Sequence, residues 1–231
     1  MSALGNLAKS DANTGEIQPS LPPDKANHDR SVTLPDRHEK HALIAFGSNQ
    51  PFGDLSPAGL ISMASGQVAA ALGGGLRLSA LYRTPSFPAG SGPDYANACA
   101  IVTLRHSLAA TQALAICHEI EARFGRERQV RWGSRTLDID LLAIDDLVLP
   151  DQAGHARWRN LSTTEQMLQI PAEVILPHPR LQDRAFVLVP LVEVAPEWRH
   201  PLLGQTVAQM LAALPAADRD AVVRLNPAAS D

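Results

Sequence analysis

Residues 137–141, Leu-Asp-Ile-Asp-Leu, alternate apolar and acidic side chains. A period of two suits a β-strand, in which successive side chains point to opposite faces. Leu137, Ile139 and Leu141 then share one face, and Asp138 and Asp140 share the other. The first set asks for a hydrophobic core behind the strand. The second places two like charges roughly 7 Å apart on the opposite surface. Such a pair repels and, where partly buried, needs cations or hydrogen bonds. Any fold for this chain must bury one side of this strand and give the other a polar task. That task is either pairing with arginines or holding a metal.

The segments around this strand alternate between the two regular structures. The short apolar run 42–46, ALIAF, stops at Gly47 and suits a central strand. Residues 56–72 open on Ser-Pro and carry apolar residues at helical spacing up to three glycines, 73–75. A strand is expected over 76–84, a Pro/Gly loop over 85–94 and an alternating strand over 95–105. An amphipathic helix over 107–125 follows, ending at Gly125. DDLVL, 145–149, is expected as a hairpin partner of the two-aspartate strand. Residues 151–171 read as a polar insertion with a short helix near TTEQMLQ. A turn and an aliphatic segment fill 176–196, and a last short helix 206–214. The order β-α-β-β-α-β fits an α+β class, a ferredoxin-like antiparallel sheet with helices packed on it as a three-layer α/β/α sandwich.

Residues 1–40 mix prolines and charges with almost no aliphatic period and read as a disordered tail. The globular domain is expected over 41–215, with a C-terminal tail over 216–231. The chain has 231 residues, 45% of them hydrophobic, which is enough for one good-sized core. Its formal net charge is −4, so nothing in the overall balance draws it to nucleic acid or anionic membrane. No apolar stretch approaches the ~20 residues that span a bilayer, and the N-terminus has no signal-peptide pattern. Cys99 and Cys117 are then expected as reduced thiols in a cytoplasmic protein.

Against that acidic background, Arg123, Arg126, Arg128, Arg131 and Arg135 gather within thirteen residues, with only Glu127 opposing them. Guanidinium groups bind phosphate oxygens bidentately. Paired carboxylates hold magnesium, which in turn binds phosphates. An arginine-rich segment running into a two-aspartate strand therefore suits phosphoryl or pyrophosphoryl transfer. The chain has no P-loop motif. The nucleotidyltransferase arrangement fails on spacing, because Gly47-Ser48 lies about ninety residues before Asp138 rather than about ten.

RWGSRTLDIDLL, 131–142, resembles the central motif of the 6-hydroxymethyl-7,8-dihydropterin pyrophosphokinase family. AFGSN at 45–49, LYRTPSF at 81–87, PDYANA at 93–98 and LPHPRLQDRAFVLVPLVEVAP at 176–196 fall in the family's order. Ser134 stands where the family has proline. The resemblance covers about 42–210. It implies transfer of pyrophosphate from ATP to the pterin hydroxymethyl group, with release of AMP and two magnesium ions at work. It also implies ATP and hydroxymethyl-dihydropterin as the ligands, and a monomer is expected. A fused synthase barrel would need roughly 250 further residues.

Residue by residue, the resemblance implies that Asp138 and Asp140 hold the metal. Arg126 and Arg135 neutralise the transferring group. Arg128, Arg184, Glu121 and His178 contact ATP. Tyr95 and Phe186 would sandwich the flat pterin ring. Asn97 would meet its amide edge, and Thr84 and Pro85 lie on the segment that closes the pocket. A non-catalytic relative that binds nucleotide, or that offers its basic segment to an acidic partner, is the competing reading. Paired metal ligands favour the enzyme.

Overall fold

The computed structural model describes residues 39–86, 90, 92–125 and 136–226. Five strands, β1 (Lys40–Ser48), β3 (Tyr82–Thr84), β4 (Tyr95–Leu104), β5 (Asp138–Ile144) and β6 (Val223–Arg224), form a sheet in the order β5-β1-β4-β3-β6. A sixth, β2 (Leu76–Leu78), also pairs with β4. Every pairing is antiparallel.

The alternation of β1 and β4 feeds two cores. Ala42, Ile44, Phe46, Ala98, Ala100 and Val102 face one way, against α1 (Pro57–Leu72) and α2 (Ala110–Arg123). Leu43, Ala45 and Cys99 face the other way, against α5 (Ala185–Val194) and α6 (Val207–Ala213). Leu137, Ile139 and Leu141 are buried in the first core, as their alternation requires. Helix boundaries follow local chemistry. Ser56 accepts the Gly59 N–H at 3.2 Å and Pro57 opens α1, the arrangement that satisfies a free helix N-terminus. At the other end, a Cβ on Gly73 would lie 2.2 Å from the Thr103 carbonyl oxygen, so only glycine lets α1 end against β4. Beyond α2, Gly125 takes φ +79°, and a Cβ there would come within 2.9 Å of the Phe52 ring.

Four sequence expectations need correction. The strand expected over 76–84 is interrupted at 79–81. The buried Ser79 hydroxyl accepts the Cys99 N–H at 3.0 Å while the Ser79 N–H donates to the Cys99 carbonyl at 2.9 Å. A side chain thus stands in for a backbone carbonyl and breaks the ladder. DDLVL is not a hairpin partner. Asp145 turns at φ 43° and its Oδ1 accepts the His41 N–H at 3.0 Å, ending the sheet, and Leu149 bridges only to Leu176. Residues 216–226 do not trail away as a tail, because α7 (Ala216–Asp220) leads into β6, which pairs with β3. Lys40, placed in the N-terminal tail, already belongs to β1, while 1–38 lie outside the described residues. In the expected insertion, α4 (Thr163–Leu168) forms where TTEQMLQ suggested, preceded by α3 (Gln152–Asn160), which no sequence signal had suggested. Asp151 caps α3 through the Gly154 N–H at 2.7 Å. Among the described residues no helix is long and apolar enough to cross a membrane.

His155 of α3 and His200 are fully buried and meet edge to face, 5.9 Å between ring centres. Burial drives both below the ordinary imidazole value, His200 to about 4, and Arg159 pushes each in the same direction. The unfolded chain therefore binds more protons than the folded one between pH 6.5 and about 4. Stability is full above pH 6.5 and falls as the pH drops through that window. His200 alone accounts for about 3 kcal/mol at the acid end. Denaturant midpoints measured from pH 7.5 to 4.5 should fall, and His200→Asn should flatten the slope. An unchanged slope would remove His200 from this linkage.

Candidate active site

β1 lies between the edge strand β5 and β4 and sets the site's geometry by register. Gly47 lies opposite Asp138 on one side and Asn97 on the other, and Asn97 in turn lies opposite Tyr82. Two residues along, Ala45 lies opposite Asp140 and Cys99. Side chains in register across a sheet share a face. Asp138, Asp140, Asn97, Tyr95 and Thr84 therefore occupy one surface, on the side where α5 packs. Further along, that surface is filled by α5 and α6. At this end it is open, with both aspartates half-buried.

The two-aspartate strand is at the sheet edge, where unpaired backbone groups need partners. Glu121, buried in α2, accepts the Ile139 N–H at 2.8 Å, between the two aspartates. The His178 N–H donates to the Leu142 carbonyl at 2.7 Å. Two residues expected to contact ATP thus also hold the strand that carries the carboxylates. The His178 ring is half-buried. Burial, then the Arg184 charge, push its pKa down to about 3, against the opposing pull of Asp138. The ring is neutral at pH 7. Its Nδ1 accepts the Arg180 N–H at 3.1 Å, so the proton sits on Nε2, where it can be donated to an acceptor.

Arg184 joins the two halves of the surface. Its guanidinium lies 3.6 Å from Asp140 Oδ2 and 5.6 Å from the centre of the Phe186 ring. Phe186 is the second residue of α5, between buried Ala185 and Val187, yet it is 38% exposed. An aromatic face left open beside a cation suits a flat ligand. Across the surface, the Asn97 amide donates to Thr84 Oγ1 at 2.8 Å, both residues being buried. That bond fixes the amide's orientation and leaves its Oδ1 for another donor. Tyr95 is half-buried and Pro85 exposed beside it. Arg126, Arg128 and Arg135 lie outside the described residues.

Asp138 and Asp140 supply hard oxygen donors from neighbouring register positions. Among the described residues no group of three His, Cys, Asp or Glu side chains is placed to hold a metal. An open two-carboxylate set fits magnesium, which keeps several waters and takes phosphate oxygens as further ligands.

Sequence reasoning missed the anchors of this surface. Glu193 of α5 accepts the Tyr82 hydroxyl at 2.6 Å and the Ala80 N–H at 2.7 Å. Burial, then the Glu193 bond, raise the Tyr82 phenol to about 12. No local pattern marks such a pair, because its members are 111 residues apart.

The 7,8-dihydro-6-hydroxymethylpterin-pyrophosphokinase family model matches residues 43–196. The chain belongs to this family. It is 41% identical over 135 residues to the 2-amino-4-hydroxy-6-hydroxymethyldihydropteridine pyrophosphokinase of Synechocystis, covering 58% of this chain and 57% of that one. The Methylorubrum extorquens protein of the same name is 35% identical over 136 residues, covering 59% and 71%. This chain thus aligns with little more than half of the Synechocystis protein's length. Among solved structures, the wild-type Plasmodium falciparum HPPK-DHPS with SDX-DHP superposes with a TM-score of 0.52 at 14% identity. That match covers 76% of this chain and 44% of the other. At that identity the likeness concerns the fold, a mixed α/β structure with an antiparallel sheet.

Proposed function

We propose that this chain transfers pyrophosphate from ATP to the hydroxymethyl group of 6-hydroxymethyl-7,8-dihydropterin, as a diphosphokinase of folate biosynthesis. The observation that carries the reading is the shared surface. Asp138 and Asp140 stand in register with Asn97, and Arg184 spans from Asp140 to the open Phe186 ring. Phosphate handling and aromatic recognition thus meet at one end of one sheet.

In this reading Phe186 and Tyr95 hold the pterin ring between them, and Asn97 Oδ1 accepts from its amide edge, with Thr84 fixing the amide. Thr84 and Pro85 border the pocket. Arg184, Arg128 and neutral His178 bind ATP phosphates or nucleotide, and Glu121 adds a nucleotide contact beside its bond to Ile139. Asp138 and Asp140 hold two magnesium ions. When bound, magnesium supplies neutralisation of phosphate charge and acidification of the acceptor hydroxyl. The hydroxyl oxygen forms a bond to the β-phosphorus of ATP, the bond to the α,β-bridging oxygen breaks, and AMP leaves. The hydroxyl proton passes to water. Arg126 and Arg135 balance the charge on the transferring group. No strong general base is required, because orientation does most of the work.

The strand order, with β2 and β3 taken as one interrupted strand, supports the ferredoxin-like description, and helices on both faces support three layers. Free, buried Cys99 and Cys117 are consistent with a cytoplasmic protein, which we take to act as a monomer. The test is AMP formation from ATP and magnesium, with and without added hydroxymethyl-dihydropterin. Pterin-dependent AMP together with the pterin diphosphate is the expected result. Absence of AMP, or AMP formed equally without pterin, would overturn the assignment.

A further inference from the structure

AFGSN, at the end of β1, is the one motif of the sequence to which the reaction above gives no task. Its geometry supplies one. β4 and β5, the neighbours of β1, both run antiparallel to it, so both enter the sheet where β1 ends. The segment before β4 is the pocket-bordering loop 85–94, and the segment before β5 is the arginine-rich stretch. Two consecutive side chains at the end of β1 reach one root each.

Ser48 is fully buried, and its hydroxyl lies 2.5 Å from the Thr136 carbonyl oxygen and 3.2 Å from that of Gln50. A hydroxyl has one proton to donate, and the shorter contact assigns it to Thr136. Thr136 is the residue directly after Arg135 and two before Asp138. Asn49 is 5% exposed, and its Nδ2 donates to the Pro93 carbonyl at 3.3 Å. Pro93 is two residues before Tyr95 and four before Asn97. The same root is closed by the Ser86 hydroxyl on the Gly92 carbonyl at 3.0 Å and by Arg83 on Asp94 at 2.7 Å. Among the described residues, buried Asn49 Oδ1 has no hydrogen-bond partner.

We propose that Ser48 and Asn49 are positioning residues of this site. Ser48 fixes the chain at Thr136, just before Asp138, against the end of β1, and Asn49 fixes the chain leading to Tyr95 and Asn97. The inference rests on the reaction assigned above, and it divides the two residues by ligand. Losing the Ser48 bond misplaces the phosphate side, and losing the Asn49 bond misplaces the pterin side. Small displacements of reacting groups cost about ten- to a hundred-fold in rate.

The experiment compares Ser48→Ala, Asn49→Ala and a core control, Leu72→Ala in α1, in the full chain. Melting temperature, kcat, pterin KM and backbone hydrogen exchange are measured for each. Ser48→Ala should lower kcat about tenfold or more with pterin KM little changed, and speed exchange in peptides over 136–140 but not 92–97. Asn49→Ala should raise pterin KM about tenfold and speed exchange over 92–97 but not 136–140. Leu72→Ala should lower the melting temperature at least as far while leaving kcat and KM near wild type. Equal kinetic losses in all three, following melting temperature, would reduce both residues to general stability and overturn the proposal. Unchanged local exchange in the two site variants would overturn it as well. If the wild-type chain formed no AMP, the assigned reaction would fall, and the exchange patterns would still decide the pinning.

Discussion

Alanine at Asp138 or at Asp140 is expected to cut magnesium-dependent turnover by about 10³ or more while the protein stays folded. In the proposed reading each carboxylate would anchor charge-neutralising ions, and its removal should cost more than losing one hydrogen-bond donor, which costs about 10²–10³. The fold should not suffer in proportion. Both carboxylates are on the open surface and neither belongs to a core. Each substitution relieves the repulsion between the pair. Against this stands the contact of Asp140 with Arg184 at 3.6 Å, where both side chains are about a third exposed. Such a pair contributes about 0.2–1 kcal/mol. Melting temperatures should therefore move by only a few degrees, roughly ΔΔG over the unfolding entropy. Binding of magnesium with a non-hydrolysable ATP analogue, followed by calorimetry, should weaken in both variants. Undiminished turnover in both, at the same magnesium concentration, would sink the metal assignment.

This surface shows which parts of a site a sequence can carry. The alternation over 137–141 fixed the strand, its buried face and the shared face of the aspartates, because a period of two leaves no other arrangement. The helices of the first core were equally legible, since Ser56-Pro57, the glycines after Leu72 and Gly125 are local signals. The interruption at Ser79 was not legible. It depends on a hydroxyl meeting a backbone N–H twenty residues away, and apolar patterning over 76–84 cannot register it. DDLVL has strand composition, but Asp145 spends its carboxylate on His41, 104 residues earlier. Phe186 would be plain core by its neighbours, Ala185 and Val187, which are indeed buried. Only the resemblance gave its ring a ligand, and the structure leaves that ring open beside Arg184. Ser48 and Asn49 were visible as letters of a motif, but their bonds span 88 and 44 residues.

Arg126 and Arg135 lie outside the described residues, so their expected effect rests on charge and sequence position. Five arginines within thirteen residues of a chain with net charge −4 are costly to keep together unless an anion gathers them. Thr136, the residue that follows Arg135 in the chain, is held by Ser48. A transferring pyrophosphoryl group carries charge on several oxygens, and guanidinium forks match them. Alanine at either position should lower kcat by about 10²–10³, the cost of losing one preorganised donor to charge in the transition state. ATP affinity should change much less, because in the proposed reading magnesium, Arg128 and Arg184 would still bind the ground state. Lysine at the same position should recover part of the rate, since it restores charge without the planar fork. Single-turnover rates and calorimetric ATP binding on the same variants separate the two effects. If affinity fell and the turnover number held, these arginines would be ground-state binders. If neither moved while the variants lost binding to an acidic protein, the basic segment would be an interaction surface and its place in the reaction would be wrong.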